Sequence, residues 1–160
     1  MEAEKMLHIA KTSLNMLQTV EDQDQVEVLW IAAITALRGV GHVLAKVDKY
    51  SNTILSQKID DWWIDLNKNK TIDKNRIFFD FIDKERNDTI KVLSIHYDKG
   101  MQDILIIEDI NEKEAYFVND VIPQLIYIPM TDGYYEGEDI RDLIEMAIEW
   151  WEKQIEELKR

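Results

Sequence analysis

RIFFDFIDKERNDTIKVLSIHY, residues 76–97, is the stretch on which the fold turns. On a wheel of 3.6 residues per turn, Phe79, Ile82, Arg86, Ile90, Leu93 and Tyr97 fall on one stripe. Phe78, Phe81, Glu85, Val92 and His96 lie beside it. So much apolar surface predicts a helix buried on more than one side, which makes Glu85 and Arg86 candidates for partly buried charges. Charges in such places are costly unless paired, and they mark either a structural ion pair or a site.

Working outward, the chain before this stretch reads as three further helices. Residues 3–18 carry Leu7, Ala10, Leu14 and Leu17 on one stripe. Thr19 and Asp22 have the spacing of a capping box before a second helix running to about Lys49. Its seam is Val26, Leu29, Ala33, Leu37, Val40, Leu44 and Val47. Ser51 is placed to cap a third helix with Leu55, Ile59, Trp62 and Leu66 inward. Residues 67–75 are polar and read as a loop. Gly100 stands where a glycine ends a helix.

Beyond it the pattern changes to short β-branched runs, 104–107, 115–118 and 125–128, with a turn between the first two. Asp139 or Glu138 starts a last helix whose stripe runs from Ile140 to Leu158. The expectation is one mainly α domain over residues 1–160: an antiparallel bundle of four to five helices, with a small β-hairpin at about 102–128 inserted before the C-terminal helix.

Composition narrows the chemistry. The chain has 160 residues and no cysteine, which removes disulfides, zinc–thiolate sites and thiol nucleophiles and fits a reducing cytoplasm. The start of the chain has no basic region followed by an apolar one, so no signal peptide is expected. The longest apolar run, 28–37, is too short to span a bilayer, and no membrane partner is expected. Net charge is −13. It is concentrated in residues 101–160, with five basic against sixteen acidic groups, while residues 51–100 carry nine of each. The bulk charge opposes non-specific binding to nucleic acid.

Few motifs carry chemistry. Asp65, Asn67, Asn69 and Asp73 fall at oxygen-ligand positions of an EF-hand-like loop. However, Lys70 stands where that loop needs glycine and Arg76 where it needs a bidentate glutamate, so no metal is expected. Arg38 and His42 sit one turn apart around Gly39 and Gly41. They are either a polar pair at a site or a consequence of close helix packing, the second being favoured. The pairs Trp62-Trp63 and Trp150-Trp151 cannot form flat stacking platforms, since neighbours on a helix point about 100° apart. They read as core or interface anchors. The glutamates of the last helix read as a solvated face. No phosphate-binding loop, HExxH or nucleophile elbow is present, and no cofactor is expected.

At Arg86-Asn87 the stretch FFDFIDKERNDTIKVLSIHY resembles the long helix of HEPN domains, small and often dimeric helical bundles. Their ribonuclease members carry an arginine, frequently followed by asparagine, and a histidine four to six residues further on. The resemblance covers residues 22–97. It implies a helical module that binds a partner, an RNA or a nucleic-acid-processing protein, and it allows a homodimer. Arg86, Asn87 and Glu85 would be its polar centre, with Arg38 and His42 nearby. Lys91, Val92 and Leu93 stand where the family has its histidine. His96, ten residues from Arg86, would lie about 15 Å along a continuous helix. The leading expectation is therefore a non-catalytic module. One alternative is a degenerate, metal-independent ribonuclease using Arg86 with His42 or His96. A second is an acidic protein-interaction domain working through residues 136–160.

Overall fold

The structure, a computed structural model, describes residues 1–20, 22–98 and 127–160, with the backbone of 105–106 and 116–117. It is mainly helical. Helix α1 is Ala3–Leu17, α2 Gln23–Lys46 and α3 Thr53–Lys68, with a 3₁₀ turn at Asp48–Tyr50. A continuous rod follows: α4 (Asp73–Arg76), a π-helical segment (Ile77–Asp83) and α5 (Lys84–Val92). The last helix, α6, is Ile140–Lys159. The β-hairpin expected at about 102–128 lies almost wholly outside the described residues, as does Gly100.

Helix α2 is the centre. Trp30, Ala33, Ile34, Leu37, Val40 and Leu44 on it are fully buried, against α1, α6 and the rod. By length and composition Gln23–Tyr50 is apolar enough to cross a membrane, but nearly half of that stretch is spent on packing within the domain.

Helix starts follow local chemistry. Asp22 accepts from the Gln25 amide, and Asp139 from the Arg141 amide, as N-caps do. Asn52, rather than Ser51, caps α3 through the Leu55 amide. Helix α1 has no cap of its own. The buried carboxylate of Asp48, just past the end of α2, accepts from the amides of Glu2 and Ala3 at 2.8 and 2.9 Å. That bond ties the start of α1 to the end of α2, so the two run antiparallel. Helix α3 extends to Lys68 and the rod begins at Asp73, which shortens the expected loop to residues 69–72.

The rod departs from the 3.6-residue wheel in two ways. Its π winding turns Ile77, Phe78, Phe81 and Ile82 inward together, and the face continues through Glu85 and Thr89. The stripe read through Arg86, Ile90 and Leu93 is therefore the outer face: Ile90 is 44% exposed and Leu93 84%. The helix also stops at Val92, because Leu93 adopts a left-handed conformation (φ +54°) that reverses the chain. Residues 95–98 then run beside 128–131, with bonds from Thr131 N–H to the His96 carbonyl and from Asp98 N–H to the Pro129 carbonyl, both 2.8 Å. The exit of α5 is thereby held against the entry to α6.

Candidate functional site

Two polar networks grow from the rod, one on each side. Residues 85 and 86 point about 100° apart on a helix, and this separates the expected polar centre.

The first network is under α5. Glu85 is 1% exposed. Its Oε1 accepts from Lys84 Nζ at 2.9 Å, and its Oε2 lies 3.2 Å from His96 Nδ1. Lys84 Nζ is also 3.2 Å from His96 Nδ1, 3.4 Å from Asp88 Oδ2 and 3.6 Å from Asp132 Oδ2. On the other edge of the ring, Ser94 Oγ lies 2.8 Å from His96 Nε2. His96 reaches Glu85 because the turn at Leu93 folds the chain back, and the bond from Thr131 holds it there.

The contacts of the ring fit two tautomers. With the proton on Nδ1 the ring donates to Glu85 Oε2 and Nε2 accepts from the Ser94 hydroxyl; with it on Nε2 the ring donates to Ser94 Oγ and Nδ1 accepts from Lys84 Nζ. Partial burial works against the Lys84 ammonium, yet hydrogen bonds and charges from Glu85 and Asp88 outweigh it and raise its affinity for protons. Gly133 supplies the left-handed backbone (φ +89°) of the loop that carries Asp132, and a Cβ there would reach only ordinary van der Waals contact with Lys84.

Glu85, Asp88 and His96 bring ligand atoms within 4.8 Å of one another, a spacing that can hold a metal ion. The Lys84 ammonium lies among those same atoms, so the cluster carries its positive charge within the chain.

The second network crosses from α2 to α5. Arg38 Nε donates to Asp83 Oδ1 at 2.6 Å, and Asn87 Nδ2 donates to Asp83 Oδ2 at 3.3 Å. An Arg86 guanidinium N–H donates to Asn87 Oδ1 at 3.1 Å. Arg38 also stacks over Phe78, 5.6 Å from the ring centroid. Arg86 is half-buried and has no carboxylate partner among the described residues.

Of the residues expected to converge, Arg38, Arg86 and Asn87 share one network. Glu85 and His96 belong to the other. His42 is exposed, with no hydrogen bond or ion pair among the described residues, and joins neither. Close packing explains the neighbouring glycines: a Cβ on Gly41 would meet the Trp151 ring at 3.0 Å, and one on Gly39 would meet Met6 Cε.

Sequence reasoning missed Asp83, Lys84, Asp88, Ser94 and Asp132. The available signal was Ser94-Ile-His96: two side chains on one face if that segment is extended rather than helical. A separate cleft of about 370 Å³, with Trp62, Asp65, Asp73, Tyr135, Glu149 and Lys153 among its walls, includes no residue of either network. In the comparisons with known proteins, no family model, no curated protein and no solved structure matches the chain.

Proposed function

We propose that this chain is a HEPN-like helical module that binds a partner, through the face of α5 formed by Arg86, Asn87 and Ile90 together with Arg38 of α2. The observation that carries this reading is Arg86: a guanidinium held, among the described residues, by a single neutral acceptor, beside an isoleucine left 44% exposed. A planar cation next to an exposed apolar side chain is what protein interfaces select for as an anchor. The partner is a protein, in the family's setting one that processes nucleic acid, and RNA is the lesser candidate. Asp83 offsets Arg38, and the chain as a whole is at −13, so little phosphate neutralisation is on offer.

The finer architecture belongs to the same reading: an antiparallel bundle of four to five helices with a hairpin insertion. The tie from Asp48 to the start of α1 supports the bundle, and the bond from Trp62 Nε1 to Gln154 between α3 and α6 adds to it. Antiparallel pairing of Leu105 with Phe117 and of Ile106 with Tyr116 supports the hairpin. A metal-independent ribonuclease is the weaker reading, since His96 is engaged with Glu85 and Ser94 rather than turned to Arg86. The acidic-interaction reading draws on Glu145, Glu149, Glu152, Glu156 and Glu157, all exposed on α6.

The test compares wild type with Arg86→Ala. Stability should fall by about 1 kcal/mol, the net worth of its hydrogen bond to Asn87. Proteins co-purifying with the wild type should be lost from the variant, and an RNA shift assay at low salt should show no binding. A shift that Arg86→Ala abolishes would replace the protein partner with RNA. Partner recovery unchanged by Arg86→Ala would remove this face from the reading and leave the α6 acids ahead.

A further inference from the structure

We infer that Ser94, His96 and Glu85 form a nucleophile–base–orienter relay that hydrolyses small activated esters. None of these residues is needed for the Arg86 face, so the two readings stand or fall separately.

The geometry has the three contacts such a relay requires. The Ser94 hydroxyl lies 2.8 Å from Nε2 of His96, within reach for proton transfer. The opposite ring nitrogen lies 3.2 Å from a carboxylate oxygen of Glu85, a side chain 1% exposed and fixed on its other oxygen by Lys84. With Nδ1 protonated towards Glu85, Nε2 is left unprotonated towards the serine, the tautomer a general base needs. The turn at Leu93 makes this possible: once the chain leaves the helix, residues 94 and 96 point to the same side. The N–H following the nucleophile, that of Ile95, is engaged in no hydrogen bond among the described residues. Val92 and Leu93, 71% and 84% exposed, flank the serine and suit a short apolar acyl group.

Carboxylate oxygens of Glu85 and Asp88 lie 3.2 and 3.6 Å from His96 Nδ1, with the Lys84 ammonium also at 3.2 Å. In the acylation step Ser94 Oγ bonds to the ester carbonyl carbon as its proton passes to Nε2. The carbonyl electron pair moves onto oxygen. Collapse breaks the bond to the leaving alkoxide or phenoxide, which takes the proton back from Nε2. Water then repeats the sequence on acyl-Ser94, releasing the acid and restoring the hydroxyl. Ser94 and His96 touch the reacting atoms. Glu85 is a positioning residue.

The experiment uses the full chain with 4-nitrophenyl acetate and, separately, with a fluorophosphonate probe, the adduct being located by peptide mass mapping. A single adduct on Ser94 is expected. Ser94→Ala, half-exposed and mild for folding, should abolish it and return ester turnover to the background rate. His96→Gln should slow labelling by about 10²-fold or more. Glu85→Gln, compared at equal folded fraction, should lower the maximal labelling rate while the probe concentration giving half that rate stays constant. A merely structural role would not produce that split. Labelling spread over other hydroxyls, or turnover unchanged in Ser94→Ala, overturns the proposal whatever becomes of the Arg86 face.

Discussion

Tyr97 shows what one polar atom does in this core. Its ring packs edge-on against Trp30 with centroids 5.3 Å apart, and the residue is 5% exposed. The hydroxyl is buried with no hydrogen-bond partner among the described residues. Burial, helped by the charge of Glu27, pushes its proton affinity well above the ordinary tyrosine range. The phenol therefore stays neutral and loses its water without compensation. Removing such a group along with its desolvation cost is neutral to stabilising. Tyr97→Phe should raise the urea midpoint, by up to about 1 kcal/mol of stability, with an unchanged m-value. A fall in midpoint would show that the hydroxyl is satisfied after all.

At the scale of elements, the two glycines of α2 separate packing from propensity. Each weakens a helix by roughly 1 kcal/mol relative to alanine. A Cβ on Gly41 meets Trp151, which is fully buried and wedged among Trp62, Phe78 and Trp150. That ring has nowhere to move, and overpacking costs about 1–3 kcal/mol. Gly41→Ala should therefore destabilise the chain on balance. A Cβ on Gly39 meets only the terminal methyl of half-buried Met6. That side chain can swing aside, so Gly39→Ala should be neutral or stabilising. Thermal midpoints of the two variants side by side decide it, and equal shifts would refute the distinction.

The same elements show what was legible in the sequence. Helices α1, α2, α3 and α6 follow from 3.6-residue periodicity and from capping residues such as Asp22 and Asp139, because each buries one face against neighbours. The rod does not. Its π winding shifts the phase within IFFDFID, so a wheel drawn through Phe79 places Arg86, Ile90 and Leu93 inside when they face out. The partly buried charge at Glu85 was readable from its apolar surroundings. Its partner His96 was not, because a leucine in a left-handed turn has no sequence signature: that conformation usually belongs to glycine or asparagine. Asp83, which joins Arg38 to Asn87, was likewise lost in the phase shift.

For the whole molecule, Asp139 is a carboxylate through which acid acts on the core. Asp139 is 6% exposed and joins α6 to the segment that precedes it. It caps α6 through the Arg141 amide, accepts from the Ile128 amide at 3.0 Å, and forms a forked pair with the Arg141 guanidinium at 2.9 and 2.6 Å. Burial works against its charge, but those bonds outweigh it and hold its proton affinity below the ordinary value of 3.8. Since the folded value lies under the unfolded one, the stabilisation is complete above about pH 4 and is lost as the pH falls further. Helix α6 supplies Ile144, Trp151 and seven other buried side chains, so releasing its first turn loosens the common core rather than one loop. Asp139→Asn keeps the shape but loses the charge and, with it, the forked pair. It should destabilise the chain at pH 7 by about 3–5 kcal/mol, the cost of breaking a buried ion pair from one side. Its unfolding free energy should also lose part of the slope that wild type shows between pH 4 and pH 2. Parallel urea titrations across that range test both effects. An unaltered slope in Asp139→Asn would assign the acid response to the other carboxylates of this strongly acidic chain.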